Sequence, residues 1–224
     1  MDPKKFKLFD LSLSIYHGCP AYPKLGTPNL VRTCYRNREG FNAEKLDIST
    51  HLCTHVDTPE HFYDDSGDGV TLPLERFWGP AAILDLRGQV VADQAIGLEL
   101  LRPFDHLIEA GDFALINTGW NKKRGFSVEY MRKWPYLDGP AAEYFRGKGV
   151  KAVGIDSISL GGYGSKEKAQ PCHEILLGAG ILIIEEVFFP DEIMDGKKRL
   201  VSAFPLKILK GSASPIRLVA YEEI

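Results

Sequence analysis

Hydrophobic and polar residues are arranged along the chain in a pattern that predicts more strands than helices. Apolar and polar positions alternate over residues 8–15, which is typical of a strand with one buried face. Continuous apolar runs at 81–86, 113–117, 151–155 and 181–184 are bounded by Gly, Pro or charged residues. Short bounded runs of this kind predict buried strands. A sheet should therefore form the centre of the fold.

Two strand pairs are predicted closer to the ends of the chain. Residues 30–35 and 45–49 lie on either side of a polar turn at 36–40. Residues 201–209 and 216–221 predict a final pair. The Gly- and Pro-rich segment before the first pair is expected to be a loop.

Helical signals are fewer and fall between the strands. Asp138 is a good N-cap for a helix that continues to Arg146 and ends at Gly147 or Gly149. Residues 92–110 have partly helical spacing, which Pro103 interrupts. A short helix is also expected to begin at His173, after Pro171, and to end at Gly178 or Gly180.

Strands outnumber helices, and some helices separate strands. This order predicts an α/β or α+β fold in which residues 1–224 form one compact domain with a mixed, strand-rich core and a few flanking helices. At 224 residues with 44% hydrophobic content, one large core is expected rather than two small ones.

Charge and cysteine content exclude several partners. The formal net charge is -3 and no long basic tract occurs, so nucleic acid and anionic membranes are poor candidates. No stretch approaches the ~20 apolar residues that span a bilayer, and the first ten residues lack the apolar core of a signal peptide. The four cysteines do not form a disulfide framework, which predicts reduced thiols and a cytoplasmic protein.

Half of the six histidines lie between residues 51 and 61. His51, His55 and Asp57 form the two-imidazole, one-carboxylate set that a metal such as zinc prefers. His61 follows as a candidate proton carrier. The alternative is that these histidines are exposed loop residues or hydrogen-bonded core residues.

Regular secondary structure does not bring this set together. In a flat strand the α-carbons of His51 and His55 would lie about 13 Å apart. In a helix Asp57 would point roughly 120° away from His51. The segment is therefore predicted to be a turn or a bulged strand. Three ligands also leave a position for water, as in catalytic zinc sites.

A second polar cluster lies far along the chain. His173 is followed, after an apolar run, by Glu185 at the end of a predicted strand. A charge there is costly unless it is paired or bound to metal, so both residues are candidate ligands. Glu186 is interpreted as an ordinary surface residue.

With both clusters considered, the chain resembles the metal-dependent cyclase/hydrolase family that includes bacterial kynurenine formamidase and isatin hydrolase. The family signature His-x-Gly-Thr-His-x-Asp-x-Pro-x-His stands here as His51-Leu-Cys-Thr-His55-Val-Asp57-Thr-Pro59-Glu-His61. Weaker similarities follow in order along the chain: Asp10-Leu-Ser-Leu, Asn117-Thr-Gly-Trp120, Val153-Gly-Ile-Asp-Ser157, His173 with Leu176-Leu177-Gly178, and Pro205-Leu-Lys-Ile208.

The resemblance implies a cyclase-like swivelling β/β/α architecture and a role for each matching residue. The positions of His51, His55 and Asp57 bind metal in the family, and that of His61 is the acid/base. In the formamidase branch, the positions of His173 and Glu185 complete a two-zinc site with bridging carboxylates. An aromatic residue before Pro in the N-terminal loop contacts substrate there, and Tyr22 matches it.

Two departures from the family pattern concern the site. Cys53 replaces the signature glycine at the expected bend, where a positive φ would strain a cysteine. Its side chain is expected to be a small buried thiol, and the alternative is a thiolate bound to the metal. Gly161 and Gly162 stand where relatives often carry Asp.

The resulting hypothesis is hydrolysis of an aryl formamide such as N-formylkynurenine, or a cyclic amide such as isatin, by metal-activated water with His61 as acid/base. The metal is expected to be one or two Zn²⁺ ions, with Mn²⁺ as the alternative. Tyr22, Tyr16 and Phe62 are candidates to line an aromatic pocket. The rival interpretations are a cyclase or dehydratase on the same site, or a metal-binding protein without turnover. The family resemblance implies a homodimer or homotetramer.

Overall fold

The computed structural model describes residues 3–223, and its secondary structure is dominated by short strands. The strands are β1 Phe6–Asp10, β2 Asn29–Cys34, β3 Ala43–Asp47, β4 His55–Asp57, β5 Trp78–Asp85, β6 Ala95–Ile96, β7 Phe113–Asn117, β8 Tyr136–Leu137, β9 Ala152–Ile155, β10 Leu182–Glu185, β11 Arg199–Ser202, β12 Ala213–Pro215 and β13 Val219–Glu223. The α-helices are α1 Arg36–Glu39, α2 Leu98–Leu101, α3 Val128–Arg132, α4 Gly139–Lys148 and α5 Lys166–Gly178.

Short 3₁₀ helices connect several of these elements. They cover Pro3–Lys5, Pro59–His61, Leu74–Phe77, Arg102–Leu107, Trp120–Lys123 and Asp191–Ile193. No helix within residues 3–223 is long and apolar enough to cross a bilayer.

Within residues 3–223, nine strands form one mixed sheet in the order β1-β13-β11-β5-β7-β9-β10-β4-β12. Its centre, β5-β7-β9-β10, is parallel, and the strands on both sides of this centre pair antiparallel. The continuous apolar runs at 81–86, 113–117, 151–155 and 181–184 supply these four parallel strands. Parallel strands are covered on both faces, which explains why these runs do not alternate. The predicted strand-rich mixed fold is confirmed.

Side chains on the two faces of the sheet build two separate cores. On one face Leu84, Ile116 and Val153 pack against helices α4 and α5. On the other face Ile83, Leu115 and Ala152 belong to a core completed by loops and outer strands. Successive residues of one strand alternate between the two cores, as the pleat requires. The helix-covered face carries the candidate site.

Helix α4 confirms the predicted caps. The Asp138 carboxylate accepts a hydrogen bond from the Ala141 N–H at 2.8 Å. Gly149 ends the helix with φ +67, a left-handed conformation that glycine adopts without strain. In residues 92–110 only Leu98–Leu101 is α-helical, and Pro103 lies in the 3₁₀ turn that follows.

The predicted start of α5 is wrong. The helix begins at Lys166 rather than His173, and Pro171 lies inside it. Pro171 removes the hydrogen bond to the carbonyl of Glu167, one turn earlier. Glu167 is exposed, so water can take the place of the missing donor. Gly178 is the last residue of the helix, as expected.

Two strands are shorter than the segments predicted for them. The first covers Phe6–Asp10 and not 8–15, because its partner β13 begins at Val219. Ser12 instead forms an isolated bridge with Val187. Of the segment predicted at 201–209, only Val201 and Ser202 lie in a strand, β11 (Arg199–Ser202), which pairs with β13 and β5.

The predicted pair at 30–35 and 45–49 forms a hairpin, β2–β3, that is separate from the large sheet in the part of the chain that the structure describes. A single helical turn, Arg36–Glu39, lies in its connection. None of the residues from Asn29 to Asp47 is buried.

Candidate metal centre

The pairing of β4 with β10 places three candidate ligands on one face of the sheet. His55 lies directly opposite Glu185, and Asp57 lies opposite Ile183. Opposite residues of an antiparallel pair point to the same side, which here is the side covered by α5. Val56 between them points into the other core. A three-residue strand therefore directs an imidazole and a carboxylate toward Glu185.

The chain bends at Cys53, and this bend brings His51 close to His55 and Asp57. Cys53 has φ +51, in the left-handed region where a non-glycine residue is strained. The imidazole rings of His51 and His55 consequently lie 5.3 Å apart. The predicted irregular path is confirmed, and the strain expected for cysteine in place of glycine is present.

The Cys53 thiol is held on the far side of this bend. Its Sγ lies 3.6 Å from Sγ of Cys19, and Arg124 Nη2 donates to it at 3.0 Å. Burial, with a smaller contribution from Glu186, raises the pKa of Cys53. Cys53 thus stays a protonated, buried thiol, in agreement with the small-thiol interpretation.

His61 enters the site from the 3₁₀ helix Pro59–His61. The Thr58 hydroxyl and N–H anchor the start of this helix on the carbonyls of Gly211 and Ser212. The His61 ring then lies 4.2 Å from that of His51 and 5.9 Å from that of His173.

Helix α5 contributes His173 to the site. Its Nε2 lies 3.2 Å from Glu185 Oε1 and 4.0 Å from Asp57 Oδ2. Glu185 is positioned in turn by the N–H of Leu160 at 2.6 Å and the hydroxyl of Ser159 at 3.0 Å. All six residues predicted from the two sequence clusters therefore lie around one point.

Hydrogen bonds leave one ring nitrogen of each candidate histidine ligand facing the carboxylates. Nδ1 of His55 donates to the Cys53 carbonyl at 2.7 Å, and Nδ1 of His173 donates to the Ala169 carbonyl at 2.8 Å. Nε2 of His51 contacts Ser212 Oγ at 3.1 Å. Such contacts fix the ring orientation of metal-binding histidines.

Three buried polar atoms at the centre have no hydrogen-bond partner among residues 3–223. They are His55 Nε2 and both carboxylate oxygens of Asp57, which is completely buried. Leaving such groups unpaired is costly, and a cation between them would satisfy all three atoms. The donor set fits a divalent metal ion.

Two groups of ligand atoms, each within 4.8 Å of one another, share Asp57. One contains His51, Asp57 and His61, and the other contains His55, Asp57 and Glu185. A shared carboxylate can bridge two ions. His61, expected as acid/base, is close enough to the first group to be a ligand itself.

The electrostatic field at this point attracts positive charge. Burial alone lowers the pKa of His55, but the Asp57 and Glu185 carboxylates outweigh it and raise that pKa well above its usual value. Burial raises the pKa of Glu185, but His173 and His55 bring it down to about 2. For His61 burial dominates, and its pKa falls to about 4.

A cavity of about 440 Å³ opens over these groups. Tyr22 lines it and contacts the rings of Trp134 and Tyr163. Phe62 also lines it and stacks on His173 with ring centroids 5.3 Å apart. Tyr16, expected in the same wall, is not among the lining residues; its half-exposed ring lies over the Arg124 guanidinium instead.

Glu186 was interpreted as a surface residue from sequence, and this interpretation is wrong. It is 2% exposed, lines the cavity and accepts a hydrogen bond from the Tyr130 hydroxyl at 3.2 Å. Burial raises its pKa to about 7. Ser159, Gln170 and Ser212 also line the cavity, and no sequence signal identified them.

The sequence profile of the putative cyclase family matches residues 9–161, more than half of the chain. The chain belongs to the putative cyclase family. A similar relative is the kynurenine formamidase of Geobacillus thermodenitrificans, 31% identical over 93% of this chain and 94% of the relative. The resemblance inferred from the eleven-residue signature is confirmed.

Solved structures agree with the fold of this cyclase-family chain. A structure described as a potential metal-dependent hydrolase with cyclase activity is 28% identical, with a TM-score of 0.78, and covers 98% of this chain and 99% of its own. Isatin hydrolase A from Labrenzia aggregata has a TM-score of 0.88 at 20% identity, covering 99% and 95% of the two chains. The match to isatin hydrolase A shows that this chain has the cyclase-like fold.

Proposed function

We propose that this cyclase-family protein is a metal-dependent hydrolase that cleaves a non-peptide amide, either an aryl formamide such as N-formylkynurenine or a cyclic amide such as isatin. The observation that carries the proposal is the shared cavity. His61 and His55, whose Nε2 has no hydrogen-bond partner within residues 3–223, line one space together with Tyr22 and Phe62. The names of the similar proteins, kynurenine formamidase and isatin hydrolase, support the same reaction class.

We assign the metal ligands to His51, His55, Asp57, His173 and Glu185. The resident ion is proposed to be Zn²⁺, one or two per chain, with Mn²⁺ as the alternative that the same imidazole and carboxylate donors accept. When bound, such an ion supplies Lewis acidity toward a carbonyl oxygen and lowers the pKa of water from ~15.7 to about 7.

His61 is proposed as the acid/base. Its burial keeps the imidazole neutral at pH 7, so that it can accept a proton from the attacking water. It then donates that proton to the leaving nitrogen as the C–N bond breaks. A positioned acid/base contributes typically 10²–10⁴-fold to such a step. Tyr22 and Phe62 would hold the aromatic part of the substrate beside these groups.

We also propose that residues 1–224 act as one hydrolase domain, in the cytoplasm. The compartment is supported by the four cysteines, all of which are free thiols.

The assembly is proposed to be a homo-oligomer, dimer or tetramer, in which the β2–β3 hairpin packs on a second copy of the chain. An isolated two-stranded hairpin is marginally stable in water. This one exposes Val31, Tyr35, Phe41 and Leu46.

The experiment that tests the function is a screen of metal-loaded protein against formanilide, N-formylkynurenine and isatin, with identification of each product. We expect hydrolysis of at least one amide and its loss in His61→Ala. A ring-closed or dehydrated product would favour the cyclase interpretation. No turnover of any compound by fully metal-loaded protein would favour a binding protein and contradict the proposal.

A further inference from the structure

The sulfur atoms of Cys19 and Cys53 are in contact next to the bend of the metal centre. Their Sγ atoms lie 3.6 Å apart, and both side chains are almost completely buried. The other two cysteines, Cys34 and Cys172, contact no cysteine sulfur within residues 3–223. In the described part of the chain, one pair of thiols is therefore placed to react with each other.

The two sulfurs can form a bond after a small movement. An S–S bond is ~2.05 Å long, so the two atoms must approach each other by about 1.5 Å. Cys19 lies in the N-terminal loop, residues 11–28 between β1 and β2, where its N–H donates to the Tyr16 carbonyl at 3.0 Å. A residue in an irregular loop can make this movement by rotating its side chain and shifting its backbone slightly.

The two cysteines connect two segments that both carry cavity residues. They belong to a small core of four buried residues that is separate from the cores on the two faces of the sheet. Cys19 precedes Tyr22 by three residues, and Cys53 lies between His51 and His55. A covalent bond between the sulfurs would therefore join the loop that carries Tyr22 to the bend that carries the two histidines.

A small peroxide is the oxidant that fits this site. Both thiols are covered by protein, and hydrogen peroxide is close to water in size. One thiol attacks a peroxide oxygen and gives a sulfenic acid, and the departing hydroxide takes the thiol proton to form water. The second thiol attacks the sulfenic sulfur, the S–S bond forms, and the hydroxyl group leaves with the second proton as water. Two thiols and one peroxide thus give one disulfide and two waters, and the peroxide receives two electrons.

Burial slows the first of these steps but favours the second. On the side of Cys53 the cover includes the partly exposed Arg124, whose Nη2 donates to Sγ at 3.0 Å. Peroxide reaches the sulfur when this flexible side chain moves. The other thiol then lies beside the oxidised sulfur and acts at a high effective concentration. The disulfide therefore forms before a second peroxide can convert the sulfenic acid to a sulfinic acid.

We propose that Cys19 and Cys53 are an oxidation site at which a peroxide forms a disulfide, and that this bond fixes the N-terminal loop to the bend between His51 and His55. Disulfides in a reducing compartment are usually transient or redox-sensing. The two cysteines are 34 positions apart, so the bond closes a long loop. It stabilises the folded protein because it removes conformational freedom from the unfolded chain.

Peptide mass mapping of the Zn²⁺-loaded protein, before and after incubation with hydrogen peroxide, tests the proposal. We expect one cross-linked peptide pair that contains Cys19 and Cys53, with a mass loss equal to two hydrogen atoms. At equal zinc content, Tm should rise by about 5–15 °C relative to the reduced protein. Oxygen added to separate cysteines without a cross-link would contradict the site. A cross-link without a rise in Tm would contradict the fixing of the loop.

Variants separate this pair from the other thiols. Cys19→Ser and Cys53→Gly should each lose the cross-link and the rise in Tm, and the remaining cysteine of the pair should gain oxygen instead. Cys53→Gly places a glycine at the left-handed position, so it keeps the test valid if Cys19→Ser fails to fold. The control Cys34→Ser changes a partly exposed cysteine and should keep both effects. A rise in Tm that persists in either pair variant, or a cross-link to Cys34, would overturn the proposal.

Discussion

Nδ1 of His51 lies 2.9 Å from Oδ1 of Asp57, yet within residues 3–223 neither Asp57 oxygen accepts a hydrogen bond of good geometry. The two side chains come from opposite sides of the bend at Cys53, and Asp57 is fully buried. Burying a carboxylate without hydrogen bonds is costly, and a cation bound between this carboxylate and the imidazole nitrogens would remove that cost.

Replacing this carboxylate should remove the metal. In Asp57→Asn we expect the metal content per chain to fall at least tenfold, with activity lost in parallel, because Asp57 belongs to both ligand groups. Elemental analysis of the purified protein measures the content. The control Asp64→Asn changes an exposed aspartate seven residues away and should keep metal and activity. Full metal content in Asp57→Asn would contradict the assignment.

Elemental analysis should also distinguish the role of His61 from that of the metal ligands. His61→Ala is expected to lower kcat by about 10²–10⁴-fold, the contribution of a positioned acid/base, with metal content retained. His51→Ala, in contrast, should lose metal. If His61→Ala also loses an equivalent of metal, His61 is a ligand of the first group rather than the acid/base.

The depressed pKa of His61 predicts the acid side of the pH profile. Because burial lowers that pKa to about 4, the imidazole remains an unprotonated base well below the ordinary histidine value of about 6.5. We expect kcat/KM of the metal-loaded protein to stay level from pH 8 to about 5.5, with metal content checked at each pH. A half-maximal point near pH 6.5 would show that His61 is not the base or is not buried during turnover.

The left-handed backbone of Cys53 predicts an unusual order of stability among variants at this position. Cys53→Gly relieves the left-handed backbone, which costs about 1–3 kcal/mol in a non-glycine residue, but loses the buried sulfur. Cys53→Ala loses the sulfur and keeps the strain. We therefore expect Cys53→Gly to be within about 1 kcal/mol of wild type and Cys53→Ala to be less stable, by denaturant unfolding. A less stable glycine variant would mean that the sulfur contacts outweigh the strain.

The exposed hairpin predicts the oligomeric state. Val31→Asp combined with Leu46→Asp places charges on apolar positions of β2 and β3, and should convert a homo-oligomer to monomers. Light scattering after size-exclusion chromatography measures the molar mass. Val91→Asp changes a valine that is 70% exposed elsewhere and serves as the control. Equal masses for wild type and the double variant would rule out the hairpin as the interface.

Much of the sheet could be predicted from the sequence, since the central parallel strands are continuous apolar runs with clear boundaries. The metal cluster could also be located, because His51, His55, Asp57 and His61 are close in sequence and their donor chemistry is specific. The bend could be inferred because neither a flat strand nor a helix brings those donors together.

Other features depend on contacts between residues that are far apart in sequence, and local sequence patterns do not show such contacts. Glu186 follows a strand and carries a charge, so a surface position was the natural prediction. Its φ of +53 and the hydroxyl of Tyr130, from a distant helix, place it inside the cavity. Pro171 likewise suggested a helix start, whereas the exposed turn before it tolerates the missing hydrogen bond. Gln170 had no sequence signal, because no local pattern shows that it lines the cavity.

Metal dependence is tested most directly by the rate of formate release from formanilide by protein freed of metal with a chelator, measured before and after titration with Zn²⁺ or Mn²⁺. We predict that the metal-free protein has almost no activity and that one or two equivalents of metal per chain restore it. Protein shown by elemental analysis to hold no metal, yet hydrolysing the amide at the full rate, would contradict metal-dependent hydrolysis.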